Sequence, residues 1–300
     1  MSSGRLDIQT QVELKLLTWM KVGGPADFFA EVETEGELIE AFSFAREQRI
    51  PIVYLGQGSN MIIPDEGIRG LVVRLMNDNT VFPEPADGTT VLVTAECGKI
   101  LSRLIVDCKK RVISGLNNFI GIPGTVGAAV RGNIGIPIQE FGELVETVKV
   151  FDGENFRELP ASECDFRYRG SRIKDEYWLV WSVRLRVPKE SPTNSDELLL
   201  SRVAKQPKGS SCGSFFKNPD PKNGLVAGRL IDECGLKGLR LGGAFISEKH
   251  ANFLMNDGSA TATDVLSLAR KVRQEVLDKK GILLQNEVLV YDQVGHLVDL

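Results

Sequence analysis

The stretch GIPGTVGAA at residues 121–129 constrains this chain more than any other. Three glycines and a proline within nine residues, closed by two alanines, make a backbone that can approach something closely. Glycine opens left-handed torsions and removes Cβ, so amide N–H groups can converge on an anion. Proline fixes the turn, and the alanines let the following segment pack tightly. Spacing alone leaves two readings level, a phosphate cradle and a tight structural turn. A second Gly-rich stretch, GQGSN at 56–60, follows the apolar, β-branched run 50–55, which reads as a buried strand delivering the loop. Amides and short polar side chains at such a strand end suit a diphosphate, although a plain turn has the same composition. Neither stretch is a GxGxxG opening a helix, so a Rossmann nucleotide site is not expected.

Three hundred residues suffice for two domains with cores of their own. The formal net charge of −4, with no basic run or aromatic-interleaved basic patch, argues against nucleic acid and anionic membranes as partners. No apolar stretch reaches the roughly 20 residues of a membrane helix. The start MSSGRLDIQT has no apolar signal core, so a cytoplasmic protein is expected. Five cysteines, at 97, 108, 164, 212 and 234, lack CxxC spacing and suit a reducing compartment rather than disulfides or zinc. With two histidines, a histidine-based metal centre is not expected either.

Residues 18–26 read as an extended edge strand ending in a turn. Thr34 and Glu37 form a capping-box pattern ahead of a helix with Leu38, Phe42 and Ala45 on one face. Strands are expected over 71–75, 91–95, 145–151 and 178–187. Leu101, Leu104, Ile105 and Cys108 fall at helical spacing, which makes Cys108 a core residue. The turn-rich segment 188–195 marks a domain boundary. Beyond it, one helix carries Ala227, Leu230, Ile231 and Cys234 and another Val265, Ala269, Val272 and Val276, ending at Gly235 and Gly281. A last strand is expected over 282–291.

Taken together, GIPGTVGAAV, LGQGSN followed by DEGIRGLVVRL, and TWMKVGGPA at 18–26 resemble the flavin loops and opening segment of the UDP-N-acetylenolpyruvoylglucosamine reductases of the bacterial muramic acid pathway. The similarity runs from about residue 16 to about 292. Three distant positions match that family's catalytic residues: Arg169 in CDFRYRGSRIK, Ser214 in SCGSFFKNP and Glu287 in LQNEVLV. Alone, each has a plainer reading: a cation on a solvated face, a turn serine, an outward-facing acid. The resemblance implies that the planar fork of Arg169 meets an enolpyruvyl carboxylate and stabilises the enolate that develops there. It implies that Ser214 protonates C2, and that Glu287 helps only with a pKa raised by partial burial. Asn218 matches a position that contacts the nucleotide substrate. Gly56, Gly58, Ser59, Asn60, Gly121, Pro123, Gly124, Thr125, Gly127 and Asn133 match flavin-binding positions.

The implied cofactors are non-covalent FAD and NADPH as hydride donor. The implied substrate is UDP-N-acetylglucosamine enolpyruvate, which receives hydride at C3, and the product is UDP-N-acetylmuramate, a peptidoglycan precursor. The implied fold is α+β. A tail over 1–15 would precede a two-part FAD-binding domain of the vanillyl-alcohol oxidase type over 16–190, its parts about 16–78 and 79–190. A small α+β substrate domain would follow over 191–300, in a monomer of the smaller, type II form. One departure stands out. Where the family continues MNAGAYGGE, this chain has RGNIGIPIQE at 131–140, so Pro137, Ile138 and Gln139 replace an aromatic and two glycines. A stiffer, larger loop near the flavin is expected. Two alternatives remain open here, a flavin oxidase of the same fold and a non-catalytic flavin-binding relic.

Overall fold

The computed structural model describes residues 6–82 and 88–300; residues 1–5 of the expected tail lie outside it. Among the described residues, three sheets of four or five strands are built in turn along the chain. In the first, β1 (Ile8–Glu13), β2 (Pro25–Val32), β3 (Ile52–Leu55) and β5 (Ile68–Leu75) lie in the order β1-β2-β5-β3. The β1–β2 pair is antiparallel, while β2–β5 and β3–β5 are parallel. Residues 8–13, expected within a tail, are thus part of the sheet. Helix α1 (Glu35–Gln48) crosses between β2 and β3. Its N-terminus carries the expected capping box, Thr34 and Glu37 each satisfying the other's backbone N–H, worth about 1 kcal/mol. Leu38, Ala41 and Ala45 pack it on the sheet.

Residues 18–24 form no edge strand. The backbone there runs too close to its neighbours for a side chain: a Cβ on Gly24 would stand 2.3 Å from the Asp65 carbonyl oxygen. The short strand β4 (Met61–Ile62) follows the GQGSN loop.

The second sheet holds β6 (Thr80–Val81), β7 (Thr90–Glu96), β10 (Val145–Phe151), β11 (Phe156–Pro160) and β12 (Leu179–Pro188), in the antiparallel order β11-β10-β12-β7-β6. Helices α2 (Leu101–Lys109) and α3 (Val126–Arg131) pack on it, with Leu101, Leu104, Ile105 and Cys108 all buried as their spacing predicts. A hairpin of β8 (Gly135–Ile136) and β9 (Gln139–Glu140) and the one-turn helix α4 (Arg172–Asp175) complete this part.

The third unit opens with α5 (Ser195–Lys205), capped by Asn194 in the expected boundary segment. Its sheet, in the order β13-β16-β15-β14, combines β13 (Ser210–Ser214), β14 (Arg240–Leu241), β15 (Ala244–Ile246) and β16 (Phe253–Asn256). Helices α6 (Ala227–Glu233) and α7 (Ala262–Lys280) share a core with it, α7 ending at Gly281 in the left-handed conformation.

The expected strand over 282–291 is instead divided. Residues 285–287 hydrogen-bond to 215–217, whereas β17 (Leu289–Val290) pairs in parallel with β4 in the first part. The chain changes partners between two domains, so no single ladder runs its length. Glu287 sits at the changeover.

Candidate active site

The two glycine-rich loops face each other across one cleft. Gly56, Gly58, Ser59 and Asn60 line it from one side, and Gly124, Thr125 and Gly127 from the other. Their contact is close: a Cβ on Gly56 would meet the Thr125 side chain at 3.2 Å, and the Gly124 amide donates to Gln57 Oε1 at 2.9 Å. Gly58, at φ +61°, lies so near the 17–18 backbone that a Cβ would fall 2.3 Å from the Leu17 oxygen. Thr125 caps α3 by accepting from the Ala128 amide.

The cleft is partly open to solvent. Leu55, Val73, Leu75, Val180 and the rings of Tyr54 and Tyr291 give it apolar walls. Arg131 and Lys174 add two cations, and Arg131 Nε is buried without a hydrogen-bond partner. Burial, then the nearby cations Lys217 and Arg131, bring the Lys174 ammonium down to about 8. Glycine amides, two cations and long apolar walls suit a ligand with both a diphosphate and a flat aromatic system. FAD is such a ligand.

Three of the expected flavin residues do not line the cleft. Gly121, in a left-handed turn, faces Leu199 and Arg202 of α5, and Pro123 is exposed. Asn133 is 1% exposed and turned inward. Its amide donates to Glu140 Oε2 at 2.7 Å and to the Arg167 carbonyl at 3.0 Å, and its oxygen accepts from the Gly142 amide at 2.8 Å. The unusual segment after it does not enlarge a loop in the cleft. Pro137 and Ile138 form the exposed tip of the β8–β9 hairpin, and only its base touches the site, through the Gly135 carbonyl.

That carbonyl accepts from Arg169 Nη2 at 3.1 Å, and Arg169 Nε donates to Glu287 Oε1 at 2.7 Å. About a fifth of each side chain is exposed (22% each), so the pair is partly shielded from water. Burial pushes the Glu287 carboxyl above its ordinary range, against the pull of Arg169, Lys174 and Lys217. Lys174, from the cleft wall, donates to the Arg169 carbonyl at 3.3 Å. Ser214 ends β13 one residue before Phe215, whose carbonyl accepts from the Glu287 amide at 2.8 Å. Asn60 of the glycine loop reaches the Glu287 carbonyl at 3.3 Å. Residues 118 positions apart, Arg169 and Glu287, therefore meet beside the cleft, with Ser214 on the adjoining segment.

Asn218 bridges to the same loop. Its side-chain oxygen accepts from the first amide of α6, Ala227 N–H, at 3.1 Å, and its backbone N–H donates to the Tyr168 hydroxyl at 3.3 Å. Lys174, Lys217, Tyr54, Tyr291 and Gln57 also belong to this region. Lys174, Lys217 and Gln57 lie inside the motifs CDFRYRGSRIK, SCGSFFKNP and LGQGSN, where their neighbours are a usable signal. The tyrosines carry no such mark.

Comparison with known proteins agrees with this geometry. The family model "FAD binding domain" matches residues 26–154, and "UDP-N-acetylenolpyruvoylglucosamine reductase, C-terminal domain" matches 205–291. The UDP-N-acetylenolpyruvoylglucosamine reductase of Moorella thermoacetica is 39% identical over 294 residues, covering 96% of this chain and 95% of the relative. The chain belongs to the UDP-N-acetylenolpyruvoylglucosamine reductase family. The Clostridioides difficile member is 37% identical over 290 residues, covering 95% and 93%. The crystal structure of the Thermus caldophilus reductase superposes with a TM-score of 0.75 at 35% identity, covering 96% of this chain and 99% of that one. The α+β fold with an FAD-binding domain and a family-specific C-terminal domain is thereby shown. Among the described residues no helix is long and apolar enough to cross a membrane, and no cluster of three or more metal-ligating side chains occurs.

The five cysteines are all buried and unpaired. Burial raises the Cys97 thiol well above its usual value, Cys108 and Cys212 to about 12 and Cys164 to about 11. The Cys212 thiol is turned to backbone, with Met61 and Met20 beside it, and its Sγ lies 3.2 Å from the Met61 carbonyl. Since the thiolate is the reactive form, a disulfide reagent such as DTNB is expected to leave Cys97, Cys108, Cys164 and Cys212 of the native protein unlabelled for minutes at neutral pH. It should titrate all five thiols in denaturant. Rapid labelling of any of those four in the native protein contradicts this.

Proposed function

We propose that the chain reduces UDP-N-acetylglucosamine enolpyruvate to UDP-N-acetylmuramate with NADPH, in the cytoplasm, as a step of peptidoglycan precursor synthesis. The observation that carries the reading is the Arg169–Glu287 pair beside the glycine-lined cleft, with Ser214 on the segment bonded to Glu287. Gly56, Gly58, Ser59, Asn60, Gly124, Thr125 and Gly127 would hold FAD, with Arg131 and Lys174 balancing its charge. Bound there, FAD supplies the redox chemistry, relaying hydride from the nicotinamide to the substrate carbon. The remaining work falls to side chains. Arg169 orients the enolpyruvyl carboxylate and stabilises negative charge as it develops. Glu287 holds the guanidinium in place, and its raised proton affinity lets it stand beside an enolate. Ser214 delivers the proton to C2. Asn218 and Tyr168 form the side facing the nucleotide sugar. The chain divides into an FAD-binding part through about residue 190 and a substrate part after it, working as a monomer.

The purified protein is expected to be yellow and to release intact FAD on acid or heat precipitation. NADPH should bleach the bound flavin, and only the enolpyruvyl substrate should restore its colour quickly. Pigment retained by the precipitate, or fast reoxidation by air with indifference to the enolpyruvyl compound, would instead make the protein an oxidase.

A further inference from the structure

From the backbone around Ser214 we infer that Asn252, which no motif assigns to the chemistry, is a positioning residue that sets both Ser214 and Glu287. The inference rests on the reaction proposed above. The ladder between β13 and β16 is irregular where it matters: Ser211 pairs with Met255 and Ser214 with Phe253, the register slipping between them across Gly213 at φ +75°. Such a bulge re-aims side chains but also ends regular pairing, so the backbone beyond Ser214 lacks a strand neighbour on the β16 side.

Asn252 takes the place of that neighbour. Its side-chain oxygen accepts from the Phe216 amide at 2.9 Å, and its Nδ2 donates to the Phe216 carbonyl at 2.8 Å. Its own carbonyl accepts from the Phe215 amide at 2.8 Å. One carboxamide thus reproduces the donor and acceptor of a strand residue. It is 2% exposed, and Phe215 and Phe216 are 0% and 1% exposed, so water cannot stand in. The Asn252 loop is itself braced, with the Ser247 amide bonded to the Phe253 carbonyl and the Phe253 amide to the His250 carbonyl.

On the opposite edge the same segment carries the acid. The Phe215 carbonyl holds the Glu287 amide, Phe216 bridges Asn286, and the Lys217 amide donates to the Gln285 carbonyl. Residues 214–217 are therefore gripped between Asn252 and the segment bearing Glu287. Loosening the Asn252 side releases proton donor and carboxylate together, while the cleft lining contains neither Asn252 nor Phe216.

The test compares N252A, N252D, S214A and the N252A/S214A double variant, each loaded with FAD. N252A is expected to reduce with NADPH within about twofold of the parent, and to be reoxidised by UDP-N-acetylglucosamine enolpyruvate about 10²-fold more slowly, the scale of a misplacement near 1 Å. N252D keeps the acceptor but loses the donor, and should lose at least about 10-fold in the same step. In the S214A background the N252A change should cost clearly less than it does alone, because the share that acts through Ser214 is already lost while the share that acts through Glu287 remains. Amide exchange should rise in segments 213–218 and 284–289 of N252A and not in the glycine loops. If N252A does not hold FAD, N252D decides. Parental reoxidation by N252D, or fully additive losses, overturns the role of Asn252 while a slow S214A leaves the reaction mechanism standing. Parental reoxidation by S214A removes the proton donor, and this inference with it.

Discussion

Ser214→Ala is expected to leave FAD affinity and reduction by NADPH at parental levels and to slow reoxidation by the enolpyruvyl substrate by at least about 10²-fold, a general-acid contribution of ordinary size. The structure makes the comparison clean. Ser214 is half-buried at the end of β13, its backbone paired opposite Phe253, and alanine preserves that pairing. It does not line the cleft, so the residues that would hold FAD are left in place. A turn residue would behave differently, altering stability slightly and leaving both half-reactions intact. Stopped-flow absorbance of the flavin measures the halves separately. A variant reoxidised at the parental rate would reduce Ser214 to a structural residue.

What could be read in the sequence was local. The capping box of α1, the apolar face of α2 and the glycine stop of α7 are decided by residues within a few positions of one another, and each formed as expected. The glycine loops were legible for the same reason, although Gly121 and Pro123 belong to the turn leading into the cleft rather than to its lining. The division of 282–291 was not legible, because an apolar run does not say that its two halves pair with different domains. Asn133 matched a flavin position by resemblance, yet its hydrogen bonds organise the β8–β9 hairpin and the 164–170 loop. Asn252 and Lys174 show the same limit. A buried carboxamide serving as backbone, or a lysine drawn down to about 8 by burial and neighbouring cations, is defined only once distant segments meet.

Arg169→Met is expected to have the larger combined effect, because Arg169 pairs with Glu287 and, in the proposed reaction, also meets the substrate carboxylate. Losing a preorganised charge aimed at a developing anion costs on the order of 10²–10³-fold in the chemical step. Here KM for the enolpyruvyl substrate should rise as well, since the ground-state carboxylate loses the same partner. Arg169→Lys should recover only part. An ammonium offers a point charge, whereas Arg169 uses Nε toward Glu287 and Nη2 toward the Gly135 carbonyl at once. Stability then gives an independent reading through pH. Glu287 has its proton affinity raised in the folded state by burial, so the native protein is favoured when it is protonated. That contribution is lost as pH rises from the unfolded carboxylate range through the folded pKa. Arg169 opposes the loss by pairing with the anion, and its removal pushes the carboxyl higher still. The melting temperature of R169M should therefore match the parent closely near pH 5 and fall progressively below it toward pH 8. Equal deficits at both pH values would mean that Arg169 stabilises the fold through packing and the Gly135 contact, not through the charge of Glu287.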